Sequence, residues 1–109
     1  MGKKPEIKEL SVGDAVALLA EPGTTFLDAN PESRYRRGHI PGAVNVDPGA
    51  VADALPADRD ARLVFYCRDT SCGAAPAAAR RAARLGYGNV SVMPEGITGW
   101  EGAGQPVES

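Results

Sequence analysis

The sequence predicts an α/β fold, a largely parallel sheet with helices on both faces, and three observations lead there. Short β-prone runs alternate along the chain with helix-forming stretches. The run Leu63-Val64-Phe65-Tyr66 is apolar throughout, the pattern of a strand buried on both faces. Clusters such as Glu21-Pro22-Gly23 and Pro94-Glu95-Gly96 punctuate the elements with short turns. A chain of 109 residues with 43% hydrophobic residues is expected to form a single domain over 1–109.

The elements follow in order. Ser11 as N-cap and Asp14 as the capping-box partner open a helix whose face carries Val12, Ala15, Val16 and Leu19. Pro22-Gly23 stops it, and Thr24-Thr25-Phe26-Leu27-Asp28 reads as a buried strand ending in an acid. Arg34 to Arg37 form a polar helical turn after Asn30-Pro31. Gly38-His39-Ile40-Pro41-Gly42-Ala43 is dense in conformationally special residues and predicts a shaped loop. Val44-Asn45-Val46 is a very short strand, and Pro48 is placed to open a helix bearing Val51, Ala54 and Leu55. Arg62 to Tyr66 is the central strand. Ala74 to Leu85 is the longest helix, with Pro76 in its first turn and Gly86 as its C-cap. Asn89 to Met93 gives another strand, a short segment holds Trp100, and the tail after Gly102 is expected to be extended.

Composition removes several function classes. The formal net charge of −2 gives no basis for nucleic-acid or membrane binding, and neither partner is expected. No apolar run approaches the ~18 residues of a membrane span, and no signal-peptide core follows the charged start. A cytoplasmic location is therefore the default expectation. Two cysteines in one loop do not make a disulfide scaffold. With His39 as the only histidine, no metal site and no cofactor is expected.

The stretch that carries chemistry is Val64-Phe65-Tyr66-Cys67-Arg68-Asp69-Thr70-Ser71-Cys72-Gly73. It reads as a strand, a tight loop and a helix N-terminus. Such a loop turns backbone N–H groups inward, and the helix dipole adds positive potential. Cys67, at its mouth, is expected to have a lowered pKa and a reactive thiolate. The bland alternative is a buried strand-end cysteine.

An ordered set of motifs gives this loop a context. Phe26-Leu27-Asp28, Gly38-His39-Ile40-Pro41-Gly42-Ala43-Val44-Asn45, Val64-Phe65-Tyr66-Cys67, Leu85-Gly86-Tyr87, Gly96-Ile97-Thr98-Gly99-Trp100 and Gly104-Gln105-Pro106-Val107 together resemble the single-domain rhodaneses, the rhodanese-like sulfurtransferases, over a core of about 7–107. The resemblance implies a sheet of about five strands. It implies that Cys67 accepts a sulfane sulfur from a small anionic donor such as thiosulfate. The resulting persulfide then passes that sulfur to cyanide, a thiol or a protein. Substrate binding would fall to the loop residues Arg68, Asp69, Thr70, Ser71, Cys72 and Gly73, with Arg68 attracting the anion. His39 would orient backbone, and Asp28 would satisfy loop N–H groups or pair with an arginine.

The departures are local. Asn30 stands where many members carry arginine, Glu95 replaces a glycine and is expected to bring a carboxylate near the cleft, and Thr70 and Cys72 replace a glycine and an arginine. Related phosphatases carry one more loop residue and a closing arginine, which Cys72 and Gly73 do not supply. Cys72 has two open readings: a small packed residue, or a resolving thiol for Cys67. Alternatives to sulfur transfer are a Cys67/Cys72 dithiol switch or reductase, and a non-catalytic interaction module.

Overall fold

A computed structural model describes residues 7–109 of the chain. Strands β1 (Ile7–Glu9), β2 (Thr24–Asp28), β3 (Val44–Asn45), β4 (Arg62–Tyr66) and β5 (Val90–Val92) form a five-stranded sheet in the order β1-β5-β4-β2-β3. Every strand pairing is parallel. The C-terminal strand ends therefore lie along one edge, the side where open α/β sheets bind ligands. Strand β4 is central, with Phe26 opposite Val64 and Asp28 opposite Tyr66.

Alternation along β4 divides the core into two layers. Leu63 and Phe65 face helix α3 (Ala74–Arg84), which buries Ala75, Ala78, Ala79, Ala82 and Ala83 against them. Val64 and Tyr66 face the other layer, made by α1 (Val12–Leu19), Ile40 and α4 (Gly96–Gly102). There Trp100 is fully buried, its indole Nε1–H donates to the Pro106 carbonyl at 2.8 Å, and its ring meets Phe26 edge-on. Helix α1 opens with the capping box, as the Asp14 N–H donates to Ser11 Oγ at 3.1 Å and the Ser11 N–H donates back to Asp14 Oδ2.

Three expectations change. The edge strand β1 carries Ile7-Lys8-Glu9, too short and too charged to announce itself, yet it pairs with β5 through all its residues. The helix expected from Pro48 is a single 3₁₀ turn at Val51–Ala54. Gly49 donates its N–H to Asp47 Oδ1, a local turn that occupies the backbone a longer helix would use. The tail is not simply extended: after turns at the end of α4, Glu108 and His39 exchange two backbone hydrogen bonds, His39 N–H to Glu108 O and the reverse, at 2.8 and 2.9 Å. Among the described residues, no helix is long and apolar enough to cross a membrane.

Candidate active site

Cys67 follows directly on β4, and its side chain is 3% exposed. The next residues loop back to α3, and two devices shape that loop. From outside, the N-terminus of α4 holds its backbone: the Ile97 N–H donates to the Cys67 carbonyl at 2.9 Å and the Thr98 N–H to the Arg68 carbonyl at 3.0 Å. With these carbonyls drawn toward α4, the chain is oriented for N–H groups to face the other way. Gly96 permits the approach, because its φ is +62° and a Cβ would lie 2.5 Å from the Cys67 carbonyl oxygen.

From within, Asp69 is the loop's own brace. Its Oδ1 accepts the Ser71 hydroxyl at 2.6 Å and the Ser71 N–H at 3.0 Å, while Oδ2 faces Arg68 Nε at 3.2 Å. The Ser71 hydroxyl and N–H, with a smaller part from Arg68, hold the Asp69 carboxyl below its ordinary range. The Cys72 N–H donates to the Asp69 carbonyl at 3.2 Å. Two of the loop's N–H groups are thus occupied inside the loop itself. The N–H groups that favour a thiolate belong to Arg68 and to the first turn of α3: Ala75 and Arg68 for Cys67, Ala74 and Arg68 for Cys72.

The two thiols interact. Cys67 Sγ donates to the Cys72 carbonyl oxygen at 3.5 Å. The expected lowered pKa of Cys67 is overturned. Burial, and next the hydrogen bond with Cys72, push Cys67 up to about 11 despite the two backbone donors. For half-buried Cys72, burial opposes the charge but is outweighed by the hydrogen bond from Cys67, the Ala74 and Arg68 N–H groups and the Arg68 charge, and its thiol is lowered. Of the two thiols, Cys72 is the one whose surroundings favour the thiolate.

Cys67, Thr70 and Cys72 line a cavity of about 350 Å³ whose other walls include Ile7 and Glu9 of β1, Val92, Met93 and Pro94 at the end of β5, and Ala75, Pro76 and Arg80 of α3. Arg68, Asp69, Ser71 and Gly73 do not line it. Glu95 is exposed and is not among its walls, so the carboxylate near the cleft is Glu9 instead. Sequence reasoning missed Glu9 and Arg80. Glu9 arrives through the unannounced edge strand, and Arg80 reads locally as part of a solvated helix face. A signal for Arg80 existed in its spacing: it lies four residues past Pro76, hence on the same helix face. A second cavity, of about 550 Å³, is lined by Ala29, Asn30, Pro31, Glu32, Asn45, Val46, Asp47, Pro48, Ala74 and again Cys72.

Asp28 and His39 stand back from the sulfur atoms. Asp28 is fully buried at the end of β2; its Oδ1 accepts the Asn30 N–H at 2.8 Å and its Oδ2 has no hydrogen-bond partner among the described residues. It pairs with no arginine among the described residues, correcting one of its two expected roles, and the N–H it satisfies is in the turn after β2. Burial raises its carboxyl above the ordinary value, against the Asn30 N–H, the nearby Tyr66 hydroxyl and His39. His39 is buried, stacks on Tyr35 at 3.8 Å, donates from Nδ1 to the Tyr35 carbonyl at 2.8 Å and faces Glu108 Oε2 through Nε2 at 3.4 Å.

Comparison with known proteins fits this arrangement. The family described as "Rhodanese-like domain" matches residues 11–103. An HTH-type transcriptional regulator of Mycobacterium tuberculosis is 40% identical over 87 residues, covering 77% of this chain but 37% of the regulator, so the chain spans little more than a third of that relative. The thiosulfate sulfurtransferase GlpE of Pseudomonas entomophila is 33% identical over 87% of this chain and 85% of its own length. A Bacillus halodurans protein of known structure superposes with a TM-score of 0.84 at 22% identity, covering 94% of this chain and 77% of that one, a likeness of fold alone.

Proposed function

The chain belongs to the rhodanese-like domain family, and from that premise we propose that it is a sulfurtransferase working through a persulfide on Cys67. The observation that carries the reading is the placement of Cys67 at the end of the central strand, in a loop whose carbonyls are tied to α4, beside a cavity walled by Arg80. An anionic donor such as thiosulfate enters that cavity. The Cys67 thiolate attacks its outer sulfur, the sulfur–sulfur bond of the donor breaks with its electron pair on sulfite, and Cys67 keeps the sulfane sulfur as a persulfide anion. The backbone N–H groups of Ala75 and Arg68 stabilise the charge. The proton that Cys67 must lose goes to solvent, because Cys72, the lower-pKa partner, is the weaker base. Thr70 completes the wall, Asp69 with Ser71 keeps the loop closed, and Gly73 leads into α3. A thiophilic acceptor, whether cyanide, a thiol or a protein thiol, then removes the outer sulfur.

The closeness of Cys67 to Cys72, whose carbonyl oxygen it reaches at 3.5 Å, supports a second reading, a dithiol that closes into a Cys67–Cys72 disulfide under oxidation. Incubation with thiosulfate followed by intact mass and thiocyanate release on adding cyanide decides between them. The wild type is expected to gain one sulfur atom and release thiocyanate, and Cys67→Ser to do neither. No added sulfur from any donor, together with a disulfide under mild peroxide, would favour the dithiol.

A further inference from the structure

The second cavity has no part in the chemistry above, yet it reaches the same loop. Sheet order explains how. Cys67 ends β4, which lies between β5 and β2, so one cavity forms over the β1–β5 side and the other over the ends of β2 and β3. Among the described residues, Cys72 alone lines both. The two sulfurs also differ in access: Cys67 is 3% exposed, whereas Cys72 is half-buried. The cavities differ in charge as well. The first has Arg80 and Glu9 among its walls; the second has Glu32 and Asp47 and, among the described residues, no lysine or arginine. Glu32 pairs with Arg36 at 3.2 Å on the exposed rim, and Asp47 Oδ1 accepts the Gly49 N–H at 2.8 Å.

We propose that Cys72 is a delivery thiol, which takes the sulfane sulfur from Cys67 and hands it, through the second cavity, to an acceptor thiol carrying a cationic group. The inference rests on the persulfide reading and adds a second carrier and a separate exit to it. The Cys72 thiolate attacks the outer sulfur of the protonated Cys67 persulfide. The bond between the Cys67 sulfur and the outer sulfur breaks, its electron pair stays on Cys67 as thiolate, and the proton travels with the outer sulfur. The acceptor thiolate repeats the step at Cys72. Each exchange conserves charge and needs no oxidant or reductant. Attack at the inner sulfur would instead give a disulfide and release hydrosulfide.

Trypsin separates the two cysteines, because cleavage after Arg62, Arg68 and Arg80 puts Cys67 in Leu63–Arg68 and Cys72 in Asp69–Arg80. Full-length protein is loaded with thiosulfate, freed of donor, mixed with acceptor, quenched by alkylation at successive times and digested. Cysteamine and the tripeptide Lys-Cys-Lys test a small and a polypeptide acceptor, with anionic 3-mercaptopropionate as the reference. The added sulfur is expected first on Leu63–Arg68, then on Asp69–Arg80, from which either cationic thiol removes it. In Glu32→Gln/Asp47→Asn the preference over 3-mercaptopropionate should shrink roughly threefold, as befits exposed charges. Sulfur that leaves from Leu63–Arg68 without visiting Asp69–Arg80 overturns the relay and leaves the Cys67 persulfide standing. Disulfide-linked peptides with hydrosulfide release also overturn it, as does a preference unchanged in the double variant. No added sulfur on either peptide overturns both.

Discussion

Cys67 holds its proton tightly, and in the proposed transfer that sets how loading responds to pH. The attacking species is the thiolate, and with the thiol pushed up to about 11 by burial and by Cys72, only about one molecule in 10⁴ carries it at pH 7. Loading by thiosulfate should therefore accelerate about tenfold per unit between pH 7 and 9. Rapid-quench alkylation measures this, and a plateau below pH 8 would contradict it. Asp28 has the same physics with a stability readout. Its folded pKa is raised, so as pH climbs past the ordinary 3.8 the unfolded chain ionises first and stability falls. Asp28→Asn keeps an acceptor for the Asn30 N–H and removes the charge. It should raise the urea midpoint at pH 7 and flatten its dependence on pH from 4 to 7, whereas Asp28→Ala should lose about 1–3 kcal/mol. At this scale the position of Cys67, at a strand end before a loop and a helix, was legible, because strand, loop and helix patterns are local. Its pKa was not, since desolvation comes from residues distant in sequence.

At the scale of elements, α4 decides the loop as much as α3 does. Its first N–H groups hold the carbonyls of Cys67 and Arg68, and Gly96 makes the contact without a side chain. Gly96→Ala must accommodate a Cβ at 2.5 Å from a carbonyl oxygen and an unfavourable φ, and it should cost at least about 1–2 kcal/mol. The telling result is a fall in the sulfur-loading rate larger than the fall in melting temperature would suggest, and a variant with normal loading would show the clasp to be dispensable. The capping box of α1, the alanine run of α3 and the strand β4 could all be read from sequence, each being set by neighbours a few residues away. Strand β1 could not: Ile7-Lys8-Glu9 has no strand signature and is a strand because β5 offers it an edge.

At the scale of the molecule, the C-terminal tail closes what the sheet leaves open. It accepts the Trp100 indole N–H at Pro106 and pairs Glu108 with His39, while the Glu108 carboxylate takes the Gly42 N–H at 3.0 Å. Removing residues 105–109 strands a buried indole donor, a loss of about 1–3 kcal/mol that a urea titration would register, with near-ultraviolet circular dichroism reporting looser packing of the single tryptophan. The alternation of elements made the layered fold legible. The two cavities were not, because they arise from strand order: Glu9 and Cys67 are far apart in the chain and meet only when β1 and β5 pair beyond β4.

The alanine face of α3 has a bearing on how this protein tolerates change. A helix that rests on the sheet through methyl groups has almost nothing to lose by truncation and much to lose by growth, since any larger side chain at Ala78 or Ala79 acts as a shim. The shim would lift the end of the helix whose N–H groups serve both sulfurs. Sequence drift in this layer is thus confined to a narrow range of volumes, and the geometry around the two thiols is the first property it would erode.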